Sequence, residues 1–227
     1  MIVLANQILW TSRVGAEVNQ ENVRRVCEWA EDMVLQWTTC EFPRELEYKR
    51  NILISELTHI KNATRQLLSA ADLAFEWKIQ LKFTLDCGNW ESLDRINFSQ
   101  LSDADVATLS VHCLMGDTDL PYCFEYHGSD QRIVQTALTD FCYLIATQAI
   151  SDKLGCAPQG RAGTGKTESA KALAIQLGRP VLVFNTDENF NEAAVGRILI
   201  GASEVGAMVI FDEFNRLEEN TLSAVSS

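Results

Sequence analysis

Gly160-Arg161-Ala162-Gly163-Thr164-Gly165-Lys166-Thr167 decides the reading of this chain. The stretch has the spacing G-x-x-x-x-G-K-[ST], a phosphate-binding loop. Its glycines allow a tight backbone turn that turns N–H groups toward phosphate oxygens. A helix is expected to begin at about Gly165, placing its positive end at the same anion. In such a loop Lys166 reaches the β- and γ-phosphates and the Thr167 hydroxyl binds Mg²⁺. The loop by itself fits ATPases and nucleotide kinases alike.

Downstream, strand and helix patterns alternate. Ala170, Leu173, Ala174 and Leu177 form a small-residue helix face, with Gly178 as its stop. Val181 to Phe184 is a continuous apolar run, expected as a strand buried on both faces. A helix from about Asn191 to Val205 follows, and then the strand Ala207-Met208-Val209-Ile210-Phe211 running into Asp212-Glu213. This alternation predicts an α/β fold with a parallel sheet and a ligand at the strand C-terminal ends. An aspartate at a strand tip can hold the water shell of Mg²⁺ beside Thr167, and the next residue, Glu213, can polarise a water for in-line attack. Because side chains alternate along a strand, the two carboxylates are expected to point apart.

Upstream of the loop, residues 2–38 read as helical, with Val23, Val26, Cys27, Ala30, Val34 and Trp37 on one face. Trp10, Trp29 and Trp37 read as core or docking residues. After Phe42-Pro43 a second helix is expected from about Arg44 to Trp77, with a seam at Leu53, Leu57, Ile60, Thr64, Leu67, Ala71 and Ala74. Leu81 to Leu85 alternates as a short strand. Residues 86–120 are polar and acidic, expected as loops with one short helix near 99–113 and a turn at Met115-Gly116-Asp117. Tyr122 to Tyr126 is expected as a strand and Thr139 to Leu154 as a helix. A short strand over 154–158 is expected to lead into the loop.

Composition narrows the class. Hydrophobic residues make up 47% and charged residues 22%, as in ordinary globular domains. The net charge of −12 without a basic run argues against nucleic acid or an anionic membrane as partner. Seven cysteines (Cys27, Cys40, Cys87, Cys113, Cys123, Cys142 and Cys156) form no C-x-x-C pair, so free thiols in a reducing compartment are expected. His59, His112 and His127 are scattered and read as structural or surface residues rather than metal ligands. No signal peptide opens the sequence, and it has no apolar run of the ~18 residues that suggest a membrane span. A cytoplasmic setting is the expectation.

Three stretches then carry a resemblance. Gly163-Thr164-Gly165-Lys166-Thr167-Glu168-Ser169, Leu182-Val183-Phe184-Asn185 and Phe211-Asp212-Glu213-Phe214-Asn215-Arg216-Leu217 resemble the first AAA+ module of dynein heavy chains. Leu222 to Ser226, Tyr122 to Gly128 and Val134 to Asp140 are similar to it too, while Ile2 to Trp10 and Asn51 to Trp77 resemble the end of the dynein linker. Glu168-Ser169 and Leu217-Glu218-Glu219 favour the cytoplasmic type over the axonemal. The resemblance implies a helical linker-end segment over 1–80, an irregular connection over 81–121, and the N-terminal part of an AAA+ ATPase module over 122–227. It implies ATP and Mg²⁺ as ligands. Residues 160–168 and Asp212 would bind the nucleotide, Lys166 and Glu213 would be catalytic, and Val134 to Leu138 would border the adenine, with Val134 and Leu138 as its contacts.

For the complete protein the resemblance implies minus-end-directed movement on microtubules. The implied partners are the rest of the heavy-chain ring, the intermediate, light-intermediate and light chains, and the microtubule cytoskeleton. Arg161 stands where the family usually has Pro, implying a less rigid loop. Ala137 and Phe141 replace a usual Pro and Arg, and Met208-Val209-Ile210 replaces a Trp-Gly-Cys run. The sequence stops soon after the acidic pair, so a piece of a heavy chain is expected. An alternative reading of these residues is a non-catalytic nucleotide-binding or interaction fragment.

Overall fold

The computed structural model describes residues 2–15, 18–41, 43–86, 110–128, 133–161, 163–186, 192–216 and 223. They fall into two compact units. The first comprises Met1–Tyr122 and Gly128–Ala157, the second Cys123–His127 and Pro158–Ser227.

The first unit begins with α1 (Ile2–Val14), α2 (Gln20–Thr39), α3 (Glu47–Ser69) and α4 (Leu73–Lys78). Its core joins Trp10 and Val14 of α1, Val23, Val26 and Ala30 of α2, Ile60, Ala63 and Leu67 of α3, and Trp77 of α4. Trp10 and Trp77 meet edge to face with centroids 5.3 Å apart, and the Arg13 guanidinium lies 4.5 Å from the Trp29 ring centroid.

Two long helices of the sequence reading are each divided. The span 2–38 breaks after Val14, where the Asn22 side chain donates to the Val14 carbonyl. Asn19 restarts the helix by accepting from Asn22 N at 2.8 Å. The span 44–77 starts as a single 3₁₀ turn over Arg44–Leu46 and breaks at Ala70. There Asp72 accepts from Phe75 N at 3.0 Å and caps α4. In both cases a local cap overrode an apolar spacing that ran on across the joint.

The expectation for 86–120 is corrected more deeply. β1 (Lys82–Asp86), β2 (Ser110–Met115) and β3 (Thr118–Pro121) form an antiparallel sheet in that order. Ser110 to Cys113 are therefore strand, not helix; the remainder of the helix expected at 99–113 lies outside the described residues. Phe83, Cys113 and Leu120 face one another across the three strands and are buried. The Gly116-Asp117 turn is where the sequence put it. Gly116 has φ +61, and a Cβ there would come within 3.1 Å of Leu144 Cδ1, so both backbone and space select glycine.

The strand expected at 122–126 is absent. Tyr122 N extends the β3 ladder once, to Val111 O at 2.9 Å. Phe124 then takes φ 59, which ends any extended run.

Helix α5 (Ala137–Ser151) starts two residues before its expected position because Thr136 and Thr139 form a reciprocal capping box. Asp140 in its first turn is partly buried, and desolvation pushes its carboxyl up to about 6. The folded state then holds this proton more tightly than the unfolded chain. Its contribution falls as pH rises from about 4, the unfolded value, through about 6. Asp140→Asn should gain roughly 1–2 kcal/mol over the parent at pH 7.5, allowing for screening by partial exposure, and nothing at pH 3.5. Urea midpoints at the two pH values check this; equal gains at both would remove the titration as cause.

The second unit contains α6 (Lys166–Gln176), β4 (Val181–Asn185), α7 (Glu192–Val205) and β5 (Met208–Asp212), followed by a 3₁₀ turn over Phe214–Arg216. β4 and β5 are parallel, in register from Val181↔Met208 to Asn185↔Asp212. The crossover helix α7 buries Val195 and Ala202, and α6 buries Leu173 and Ala174, with Leu177 just beyond its end. The parallel pair and its helices agree with the expected α/β class.

Two details differ. β4 is not buried on both faces, since Leu182 is 42% and Val183 37% exposed. Among the described residues β4 pairs with β5 alone, and a two-stranded ribbon cannot bury both faces of its strands. Residues 154–161 form no strand, so the chain enters the loop without the one expected there.

Cys27, Cys40, Cys113, Cys123, Cys142 and Cys156 are not in disulfides; Cys87 lies outside the described residues. Among the described residues, no helix is long and apolar enough to cross a membrane.

Candidate functional site

The phosphate-binding loop ends where α6 begins. Gly165 is the residue before the helix, with φ +82, and no side chain caps the first turn. The first N–H groups of α6 thus point outward with the positive end of the helix dipole behind them. Gly163 also has φ +76. At both glycines an added Cβ would meet nothing within 4 Å, so the left-handed backbone, not crowding, selects the residue and leaves the mouth of the loop open. Gly160 is tighter, its Cβ position being 3.3 Å from Thr164 Oγ1.

Lys166 folds back across the loop. Its Nζ donates to Gly160 O at 3.0 Å and Arg161 O at 2.9 Å. Thr164 Oγ1 donates to the same Arg161 carbonyl at 2.9 Å. The ammonium is thus held by two neutral carbonyls, which a phosphate oxygen, being anionic, would outcompete. An uncapped helix start, an open glycine turn and an ammonium over it fit a polyphosphate.

The acidic pair arrives from β5. Thr167 Oγ1 donates to Asp212 Oδ2 at 3.0 Å, which joins the loop helix to the strand tip. Glu213 N donates to Asp212 Oδ1 at 3.0 Å. The Asp212 carbonyl accepts from Thr186 N at 3.0 Å and from Thr186 Oγ1 at 2.7 Å. Thr186, 3% exposed and just past β4, therefore fixes the strand tip from the side. Its role was missed in the sequence, where the one signal is a hydroxyl residue directly after the last residue of β4, Asn185. Phe211 stacks between Phe184 and Phe214, at 6.1 Å from each, and anchors the turn that follows.

Glu213 departs from the strand. Its φ of 56 is left-handed, so the turn sets its direction rather than strand alternation. Its carboxylate pairs with Arg216 Nε at 3.3 Å. Glu168 is exposed and paired with Lys171 at 2.7 Å. Arg161 is exposed, and Ala162 lies outside the described residues. Val134 and Leu138 belong to the first unit, where they are 84% and 67% exposed. The second unit thus brings together Gly160, Arg161, Thr164, Lys166, Thr167, Asp212 and Glu213.

No group of three or more His, Cys, Asp or Glu side chains that could hold a metal ion occurs among the described residues. Thr167 and Asp212 supply two adjacent oxygens, which suits a hard cation taking its other ligands from phosphate and water.

The family model for the hydrolytic ATP-binding site of the dynein motor region matches residues 122–227. The chain is 42% identical over 243 residues to "Dynein heavy chain, cytoplasmic" of Drosophila melanogaster. It is 42% identical over 234 residues to the protein of the same description in Caenorhabditis elegans, and 37% over 246 residues to that of Dictyostelium discoideum. Each match takes in 100% of this chain and 5% of the relative, so the chain spans about a twentieth of the curated relatives' length.

Proposed function

The chain belongs to the cytoplasmic dynein heavy chain family and carries its AAA hydrolytic ATP-binding site; from that premise we propose how its residues handle Mg·ATP. The loop over 160–168 receives the β- and γ-phosphates on the uncapped N–H groups of α6. Lys166 leaves the Gly160 and Arg161 carbonyls and turns to the γ-phosphate. Thr167 and Asp212 would hold Mg²⁺, Asp212 through water. When bound, the cation neutralises charge on the phosphate oxygens. Glu213 polarises the attacking water once it is free of Arg216. Val134 and Leu138 border the adenine, and Glu168 is part of the nucleotide-binding set.

The observation that carries this reading is the 3.0 Å bond between Thr167 and Asp212, the two expected cation ligands. Thr167→Val and Asp212→Asn should each lower the Mg²⁺-dependent part of ATP affinity at least about tenfold, or ~1.4 kcal/mol. Calorimetry of the purified chain with and without Mg²⁺ measures this. Affinity equally Mg²⁺-dependent in both variants and the parent would sink the assignment.

In the complete protein we propose that this site drives minus-end-directed movement along microtubules in the cytoplasm. The heavy-chain ring and the associated intermediate, light-intermediate and light chains would be its partners. Residues 1–80 would be the end of the linker, 81–121 a connection, and 122–227 the start of the AAA+ module. For the isolated chain, the Glu213–Arg216 pair favours a second reading, nucleotide binding without turnover.

A further inference from the structure

The exposed face of the antiparallel sheet in the first unit holds a second constellation. Ser110 Oγ lies 3.2 Å from His112 Nε2, and His112 Nδ1 lies 2.8 Å from Asp119 Oδ1. Ser110 and His112 are two apart on β2 and so share a face. Asp119 reaches the imidazole from β3, opposite Leu114 of that same face. Hydrogen-bond chemistry fixes the roles. An ionised carboxylate only accepts, so Nδ1 carries the imidazole proton. In the neutral imidazole Nε2 then keeps its lone pair, and the Ser110 hydroxyl donates to it. A serine, a base at its hydroxyl and a carboxylate orienting that base make the arrangement that activates a serine nucleophile.

We propose that Ser110 is an activated serine that accepts acyl or phosphonyl groups from activated donors, with His112 as base and Asp119 as the positioning residue. The surroundings set the donor class. The His112 and Asp119 side chains are 35% and 57% exposed, which leaves the pair within reach of small donors. A pair this exposed offers little substrate-binding energy to lower the barrier. Transfer is therefore confined to donors with good leaving groups, such as aryl esters and alkyl fluorophosphonates. With an aryl ester, Ser110 Oγ bonds to the carbonyl carbon while its proton passes to His112 Nε2. The bond from carbon to the aryl oxygen then breaks, and the imidazolium returns the proton to that oxygen. The products are an ester of Ser110 and a phenol. With a fluorophosphonate the P–F bond breaks and hydrogen fluoride leaves.

The test treats the full 227-residue chain with an alkyl fluorophosphonate and locates and times the adduct by peptide mass spectrometry. The expected result is one adduct, on Ser110, absent in Ser110→Ala. It should form about a hundredfold more slowly in His112→Gln, the usual lower limit for loss of a general base, and about tenfold more slowly in Asp119→Asn. The parent rate should show a solvent deuterium isotope effect that His112→Gln abolishes, a readout that a purely structural network would not move. No adduct on Ser110, or equal rates in the parent and His112→Gln, overturns the proposal. Thermal unfolding of each variant is followed alongside; were His112→Gln unfolded, the Asp119→Asn rate decides in its place.

Discussion

Lys166→Ala is expected to lower the Mg·ATP affinity of the chain by about a hundredfold or more. The lysine donates to two carbonyls of the loop, Gly160 O and Arg161 O, and would exchange them for phosphate oxygens. A charge-assisted bond is worth about 1.5–3 kcal/mol, against about 1 for a bond between neutral groups. More than one such contact to phosphate then brings the loss to roughly 3 kcal/mol, which is the hundredfold. The same truncation unties the loop, so part of the effect comes from ordering a looser turn in the bound state. Titration of parent and variant with a fluorescent ATP analogue in Mg²⁺ measures it. Affinities within about threefold of each other, a difference of under ~0.7 kcal/mol, would remove Lys166 from the phosphate site.

Glu213→Gln separates binding from chemistry. Glutamine keeps the size and can still meet Arg216, but it cannot take charge from a water. In the complete motor, turnover should fall by about 10²–10⁴, the usual range for a general base. ATP affinity should change little, since Glu213 touches neither the loop nor Thr167 among the contacts described. Single-turnover hydrolysis and equilibrium binding on the same preparation give both numbers. Normal hydrolysis in the variant would assign the water-polarising role to another group. Loss of both binding and turnover would mean that Glu213 shapes the strand tip rather than the water.

The second unit was legible from sequence because its signals are local and agree. The loop glycines, the apolar runs of β4 and β5 and the stop at Gly178 each point to the same parallel arrangement. Asp212 was expected beside Thr167, to which it is hydrogen-bonded, because a strand tip and a helix start admit few alternatives. The fate of Glu213 was not readable. Strand alternation holds only within a strand, and β5 ends at Asp212. In the first unit the misplaced helix ends share a cause, a preference for periodicity over local hydrogen bonding. Asn19 and Asp72 set helix starts that spacing alone ran through, and the Thr136–Thr139 box set one that the sequence reading put two residues late. β2 carried a readable alternation of Val111, Cys113 and Met115, but its partner β1 is distant in sequence and the intervening residues are polar. In the second unit, the stretch Tyr122 to Tyr126, of which all but Tyr122 belongs there, looked like a strand by composition and failed on one torsion, the left-handed Phe124.

The backbone at Glu213 has a consequence for anyone improving this protein by directed evolution. A left-handed glutamate costs about 1–3 kcal/mol, which glycine would largely avoid and asparagine would reduce. A library screened for heat resistance alone would therefore enrich Gly or Asn at 213, discarding the carboxylate proposed to act on water. Enrichment there would be a warning, and a thermostable design has to hold this codon fixed and look for its gains elsewhere.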